Sequence, residues 1–174
     1  MERELTLRSC TADDVDALRT LSIRTYYETF ASMSQPEAMD AYLAEAYDRN
    51  KLLRELTDSS SLFLFLYADG ALVGYLKLNE ASAQTDLYDD ASLEIERIYV
   101  TGTHHGQGLG QYLMDQALRI AAERRKTYVW LGVWERNERA LRFYRRNGFY
   151  PIGTHSFFMG EDEQTDHLMR RDLP

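Results

Sequence analysis

Hydrophobic residues along the chain follow two spacings, one typical of strands and one typical of helices. Short alternating or almost wholly apolar stretches predict strands at residues 5–9, 62–67, 72–78, 93–100, 128–134, 149–158 and 164–171. Apolar residues three or four positions apart predict helices at residues 12–27, 37–47, 49–56, 108–124 and 137–146. Because helices and strands are interspersed along the chain, the pattern predicts a mixed α/β fold.

Turn and capping residues support several of these boundaries. Asp69 and Gly70 separate two hydrophobic runs and predict a tight hairpin. Pro36 begins a helix behind a capping-box pattern, which is where proline is tolerated. Asn147 followed by Gly148 predicts the end of the last helix.

Length and composition indicate one globular domain over residues 1–174, with 44% hydrophobic and 28% charged residues. The longest apolar run, residues 62–68, is far shorter than the roughly 20 residues of a membrane-spanning helix. The N-terminus has no basic head followed by an apolar segment, so no signal peptide is predicted. Cys10 is the single cysteine and cannot form an internal disulfide, so we expect a cytoplasmic location.

The formal net charge of -8 bears on possible partners. A protein that binds nucleic acid usually presents a basic face to the phosphates, and here basic residues cluster only near predicted helix ends. We therefore expect no nucleic-acid partner and no membrane partner. An acidic surface suits a cationic substrate through electrostatic steering, although solubility alone would also explain the charge.

The segment between predicted strand 93–100 and predicted helix 108–124 has glycine at positions 106, 108 and 110. Such a turn exposes backbone N–H groups, and the helix behind it adds unpaired donors and partial positive charge, so the combination suits a pyrophosphate. Gln111 stands where a dinucleotide-binding fold requires its third glycine. The Lys-Ser/Thr pair of a P-loop and the protein-kinase motifs are both absent from the sequence.

A second pattern follows in Asn137, Ala140, Tyr144 and Gly148, the first three of which share one side of a predicted helix. Together with the glycine turn, it resembles motifs A and B of the GCN5-related N-acetyltransferase (GNAT) superfamily. A closer likeness, over nearly the whole chain, is to the PaiA-type spermidine/spermine N-acetyltransferases, and it is carried by residues 93–100, 130–135, 155–160 and 164–166. His105 departs from the superfamily, which usually has glutamine or arginine there.

This resemblance implies the GNAT fold, with a mainly antiparallel sheet of about seven strands flanked by four or five helices. It also implies acetyl-CoA as the co-substrate and leaves a homodimer plausible. The strand backbone would pair with the pantetheine amides, and the turn and following helix would hold the pyrophosphate. The implied coenzyme-binding residues are Ile98, Tyr99, Val100, His105, Gly106, Gln107, Gly108, Leu109, Gly110, Gln111, Asn137 and Tyr144. His105 could still hydrogen-bond a phosphate, but more weakly or in a pH-dependent way.

Amine acetylation requires a proton acceptor, because a primary amine is almost wholly protonated at neutral pH. Glu94 and Glu96 lie two apart on a predicted strand and therefore share a face. Glu96 is favoured as the base, with Glu94 binding the cation or relaying the proton; alternatively, both only pair with arginines at a solvated face. Tyr144 would protonate the departing thiolate, unless it is simply a packed tyrosine with a wet hydroxyl.

The acceptor pocket is expected at the end of the first long helix, where the superfamily builds it. Tyr26, Glu28 and Phe30 offer aromatic faces and a carboxylate that suit a polyamine, although packing would also explain them. The four histidines lack metal-ligand spacing, so no metal is assigned. Three functions stay open: polyamine acetylation, acetylation of a protein lysine, N-terminus or other small amine, and a non-catalytic acyl-CoA-binding regulatory module.

Overall fold

Seven strands form a single sheet in the computed structural model, which describes residues 2–174. The strands are β1 (Leu5–Ser9), β2 (Ser61–Ala68), β3 (Ala71–Asn79), β4 (Ser92–Val100), β5 (Tyr128–Trp134), β6 (Tyr150–Met159) and β7 (Asp162–Asp172). The α-helices are α1 (Val15–Phe30), α2 (Pro36–Ala46), α3 (Arg49–Thr57), α4 (Leu109–Glu123) and α5 (Glu138–Arg146). The predicted fold class, with about seven strands and five helices, is confirmed.

The helices cover the two faces of the sheet in two groups. Neighbouring strand residues such as Phe65 and Leu66 join different core clusters, as the alternation of side chains along a strand requires. The α1–α3 face buries, among others, Leu18, Met39, Leu52, Phe65 and Tyr75. The α4–α5 face buries, among others, Leu66, Leu93, Leu113, Leu131 and Leu141.

The centre of the sheet opens into a wedge between β4 and β5. The strand order is β1-β2-β3-β4-β5-β7-β6, and of the strand pairs described only β4–β5 is parallel. These two strands pair only where Ser92–Glu94 lies beside Tyr128–Trp130. Beyond Glu94, β4 continues along β3 and β5 continues along β7. The facing edges of β4 and β5 are therefore unpaired from that point on.

A β-bulge lies in β4 at the start of this wedge. Lys77 is opposite Arg97 and Leu78 is opposite Ile95, so Glu96 has no partner residue on β3. The bulge lets the neighbouring residues Glu96 and Arg97 both reach groups on the α1–α3 face. Glu96 accepts a hydrogen bond from Lys77 at 2.8 Å, and the Arg97 guanidinium lies 4.8 Å from the centre of the Tyr47 ring.

The first helix is longer than the sequence pattern predicts. It was expected to end near residue 27, but α1 continues to Phe30. Aromatic packing explains the extra turn: the rings of Tyr26 and Phe30 lie 4.4 Å apart, and Tyr26 stacks on Tyr42 of α2 at 4.5 Å. The contact between α1 and α2 therefore stabilises residues whose spacing alone does not mark them as helical.

Candidate active site

An open groove of about 890 Å³ follows the wedge between β4 and β5. Its turn half is formed by residues 104–111 and the start of α5, and its hairpin half by α1, α2, the β6–β7 hairpin and the loop before β4. Every site residue predicted from the sequence lines this groove except Gln107 and Glu28. The fold thus brings together residues that are far apart in the chain.

The glycine turn forms an open cradle in the turn half. Gly106 and Gly108 have φ values of 75° and 78°, in the left-handed region that favours glycine. No heavy atom lies within 4 Å of where a Cβ would stand at Gly106, Gly108 or Gly110. Gly108 is the N-cap of α4, so the first amides of that helix have no intrahelical acceptor. Open space beside unpaired N–H groups is what a pyrophosphate requires.

His105 is held by two contacts at the entrance to this turn. Its Nδ1 lies 3.1 Å from an Arg139 guanidinium nitrogen, and its Nε2 lies 2.7 Å from the Val100 carbonyl oxygen. Arginine can only donate, so Nδ1 accepts and the ring proton resides on Nε2, which donates to Val100. Both ring nitrogens are therefore occupied, and His105 holds the Arg139 guanidinium beside the turn.

The β4 strand presents its free edge to the groove. Ile98 and Val100 pack with the α4–α5 core, whereas Tyr99 stacks at 5.8 Å on Tyr75 on the opposite face. On the other edge these residues are paired to Gly74–Leu76 of β3. Apart from the Val100 carbonyl, which accepts from His105, the edge facing β5 therefore keeps unpaired N–H and C=O groups that a peptide-like ligand can join.

Glu94 and Glu96 occur in a buried polar cluster on the α1–α3 face. The amide of Asn79 donates to both carboxylates, at 3.0 Å to Glu94 and 2.9 Å to Glu96. Glu96 also pairs with Lys77 at 2.8 Å and with Arg97 at 3.2 Å. Glu94 receives hydrogen bonds from the backbone N–H and the hydroxyl of Thr85. Both carboxylates are thus fixed in position.

The two carboxylates have opposite proton affinities. Burial, followed by repulsion from Glu96, raises the pKa of Glu94. Burial also opposes ionisation of Glu96, but the charges of Arg97 and Lys77 outweigh it and lower the pKa of Glu96 to about 2. Glu96 is therefore held as a carboxylate between two cations, whereas burial favours a proton on Glu94.

Tyr144 and Asn137 are placed by α5. Asn137 is the N-cap of this helix, where its side chain accepts a hydrogen bond from the Ala140 N–H at 3.2 Å. Two turns later the Tyr144 ring is 9% exposed and lies between Phe143 and Phe149. Burial raises the pKa of Tyr144, so the hydroxyl facing the groove stays protonated.

Only part of the predicted acceptor set reaches the hairpin half. Tyr26 and Phe30 are four residues apart, so they share the side of α1 that faces Trp134 and the groove. Glu28 points elsewhere because two residues along a helix turn it by about 200°. Its carboxylate pairs with Arg24 and accepts the Gly102 N–H at 3.1 Å, beside a separate cavity.

The sequence interpretation missed three groups in the hairpin half. His155 lies between two carboxylates, with Nδ1 3.1 Å from Asp86 and Nε2 3.2 Å from Asp166. Burial raises the pKa of Asp166, although His155 opposes that shift. His155 and Asp166 lie in the PaiA-like segments 155–160 and 164–166, but no regular spacing links them to Asp86, which lies in a loop.

Residues 2–174 contain neither a metal-binding cluster nor a membrane-spanning helix. Within residues 2–174, no group of three or more His, Cys, Asp and Glu side chains is arranged to hold a metal ion. Over the same residues, no helix is both long and apolar enough to cross a bilayer. Cys10 is a free thiol, and burial raises its pKa to about 12, which makes it unreactive.

Comparisons with known proteins agree with the geometry. The model of the Acetyltransferase (GNAT) family matches residues 17–149. An uncharacterized N-acetyltransferase of Lactobacillus delbrueckii subsp. lactis is 38% identical over 160 residues, which cover 92% of each chain. The spermidine N(1)-acetyltransferase of Thermoplasma acidophilum is 25% identical over 147 residues, covering 82% of this chain and 86% of that protein.

A solved structure shows the same fold. The crystal structure of a PaiA N-acetyltransferase from Thermoplasma acidophilum, in complex with coenzyme A, superposes with a TM-score of 0.81. The match covers 98% of this chain and 99% of that chain at 23% identity. The chain therefore belongs to the GNAT family and is an acetyl-CoA-dependent N-acetyltransferase.

Proposed function

We propose that this enzyme transfers the acetyl group of acetyl-CoA to a primary amine of a polyamine, spermidine or spermine, by direct attack on the thioester. One observation carries the proposal: the hairpin half of the groove combines carboxylates with aromatic rings. The carboxylates are Glu94, Glu96, Asp86 and Asp166, and the aromatic residues include Tyr26, Tyr42 and Trp134. Such a surface binds a long cation through charged hydrogen bonds and cation–π contacts.

Two further observations support the same substrate class. The relative from Thermoplasma acidophilum is named for spermidine N(1)-acetylation. The net charge of -8 would also draw a polycation towards the surface. A homodimer, which the resemblance leaves plausible, and the expected cytoplasmic location both stay predictions.

In this proposal the turn half holds the coenzyme. The cradle of residues 106–110 and the first amides of α4, including that of Gln111, bind the pyrophosphate. The free edge of Ile98–Val100 pairs with the pantetheine amides, and Asn137 contacts the same arm beyond its capping role. The unpaired wedge and the open space above the three glycines fit a ligand of this shape.

The acetylation chemistry is assigned to residues on both sides of the wedge. Tyr144 gives a hydrogen bond, and then its proton, to the sulfur as the thiolate departs. Glu94 and Glu96 contribute to the negative field that draws the ammonium of the acceptor into the groove. Tyr26 and Phe30 line the approach of the alkyl chain.

A panel of amines tests the substrate class. Thiol release should be measured with spermidine, spermine, a simple alkylamine, a lysine peptide and a peptide with a free N-terminus. We expect kcat/KM for the polyamines to exceed that for the alkylamine by about tenfold to a hundredfold, because a second charged hydrogen bond adds about 1.5–3 kcal/mol. Equal values across the panel would favour a different amine acceptor. Tight coenzyme binding without turnover of any amine would favour a regulatory module.

The pairing of Arg139 with His105 leads to a separate prediction. We propose that Arg139 supplies the positive charge that arginine at position 105 gives in other superfamily members. Arg139→Gln should weaken coenzyme A binding about tenfold, since a charged hydrogen bond is worth about 1.5 kcal/mol or more. His105→Ala should weaken it similarly, because Arg139 then loses its anchor.

Calorimetric titration of coenzyme A checks this prediction, and a double variant sharpens it. His105→Arg should restore the affinity of the Arg139→Gln protein, because the guanidinium returns to the same turn. Arg142→Gln, an exposed arginine of α5 away from the groove, is the matched control. Unchanged affinity in Arg139→Gln would contradict the assignment.

A further inference from the structure

The proposed reaction lacks a well-placed proton acceptor on β4. A primary alkylammonium, with a pKa of about 10.4, must lose a proton before it can attack. Glu96 is committed to Lys77 and Arg97. Glu94 is only 2% exposed, and both of its oxygens already accept hydrogen bonds. The proton must therefore go to another group in the groove.

His155 has the contacts and the access that this role requires. Its side chain is 26% exposed and lines the groove. The Asp86 carboxylate lies 3.1 Å from Nδ1 and the Asp166 carboxylate 3.2 Å from Nε2, so the plane of the ring is fixed from both sides. Histidine gains and loses a proton more readily near neutral pH than other side chains.

Proton counting shows that these three side chains can hold an exchangeable proton. A neutral imidazole has one N–H and one lone pair, whereas each carboxylate oxygen needs a donor. A neutral His155 ring can therefore donate to only one of the two carboxylates. The second contact becomes a hydrogen bond when one additional proton is added to the three groups. An incoming ammonium can meet the same need, because it donates to Asp166 from the groove side.

His155 and Asp166 lie in the groove where β4 and β5 separate. His155 and Asp166 are cross-strand partners in the β6–β7 hairpin. They lie over Gly132 of β5, where a Cβ would be 3.3 Å from Asp166 and 3.6 Å from His155. Gly132 is two residues beyond the last paired residue of β5, as Glu96 is on β4. His155 and Glu96 therefore line the same groove just beyond the point where the two strands part.

We infer that His155 is the proton acceptor for the attacking amine, held in place by Asp86 and Asp166 as positioning residues. This inference rests on the proposed function. The ammonium donates to Asp166 and passes one proton to Nε2 of His155. The neutral nitrogen then bonds to the acetyl carbon as the carbon–sulfur bond breaks. Tyr144 gives its proton to the departing sulfur, and the second proton lost by the amine nitrogen restores the Tyr144 hydroxyl. His155 then releases its proton to water.

Charged and titratable groups face His155 and its two carboxylates from several elements. Asp86 faces the His155 ring from the loop before β4, and Asp166 faces it from β7. The nearest residue of β5 is Gly132, which has no titratable group. Tyr26 of α1 and Tyr42 of α2 interact with Asp166, and so does His167 of β7. Burial raises the pKa values of both tyrosines, so they stay neutral over the range of the test.

The test is the pH dependence of kcat/KM with spermidine for the wild type, His155→Gln and the control His167→Gln. His155→Gln should be about a hundredfold slower at pH 7, within the usual range for a lost general base. Its rate should then rise about tenfold per pH unit up to pH 9, because the solvent supplies the neutral amine instead. With an alkoxyamine acceptor, which is already neutral at pH 7, the variant and the wild type should differ little.

Other outcomes would overturn the assignment. A His155→Gln profile parallel to that of the wild type would do so, as would the steep profile appearing in Glu94→Gln instead. If His155→Gln does not fold, Asp86→Asn in the exposed loop should show the same change of slope with a smaller loss, and a wild-type slope there counts against the role. A wild type that acetylates no amine overturns the proposed function itself, which the amine panel decides independently.

Discussion

Replacing Tyr144 with phenylalanine is expected to lower kcat about a thousandfold, within the range for loss of a general acid. The affinity for coenzyme A should change little. The phenyl ring retains the packing against Phe143 and Phe149, at 5.5 and 5.9 Å, so only the hydroxyl is removed. That hydroxyl acts only as sulfur acquires charge, so its loss should reduce kcat and kcat/KM equally. Thiol-release kinetics with spermidine and calorimetry with coenzyme A check both parts.

The matched control for this variant is Tyr150→Phe. This variant also loses a hydroxyl that donates a hydrogen bond, in this case to Asp172 at 2.6 Å, but Tyr150 lies at the exposed start of β6. Its activity should match that of the wild type. If Tyr144→Phe turned over at the wild-type rate, the thiolate would be leaving without help from this residue, and the catalytic role of Tyr144 would be lost.

The fold was accessible from the sequence because its signals are local. Alternation and helical spacing locate all seven strands and all five α-helices in residues 2–174 to within a few positions. The left-handed φ values of Gly106 and Gly108 are the reason for glycine there, and this also made the turn recognisable. Asn137 and Tyr144 could be placed on one helix because helical spacing is also a local signal.

The contacts of the site were less accessible, because they depend on distant segments. Nothing in the spacing of Asp86 and His155, 69 residues apart, indicates that a loop and a hairpin meet at one imidazole. Proximity in sequence predicts Glu28 in the acceptor pocket beside Tyr26, but the helix turns the two side chains apart. The pairing of Lys77 with Glu96 depends on the register of β3 against the bulge in β4.

Glu96→Gln is expected to destabilise the folded protein by about 3 kcal/mol at neutral pH. Glu96 offsets two buried cations, because Lys77 and Arg97 are 3% and 8% exposed. A neutral amide leaves those charges to Glu55 alone, which is 2.5 Å from Lys77 but 3.9 Å from Arg97. The depression of the Glu96 pKa to about 2 gives a similar figure, at about 1.4 kcal/mol per unit below its ordinary value. Urea unfolding at several pH values measures the effect.

The pH dependence of this difference separates it from an ordinary packing defect. Because the pKa of Glu96 is lower in the folded than in the unfolded protein, its contribution is present above the ordinary glutamate pKa and is lost as the pH falls towards 2. The wild type and Glu96→Gln should therefore differ most at pH 7, differ less at pH 3 and converge near pH 2. Glu123→Gln, which breaks an exposed pair with Arg119, should change stability by about 0.5 kcal/mol or less. A Glu96→Gln deficit as large at pH 3 as at pH 7 would mean that side-chain shape, rather than charge compensation, ties Glu96 to the cluster.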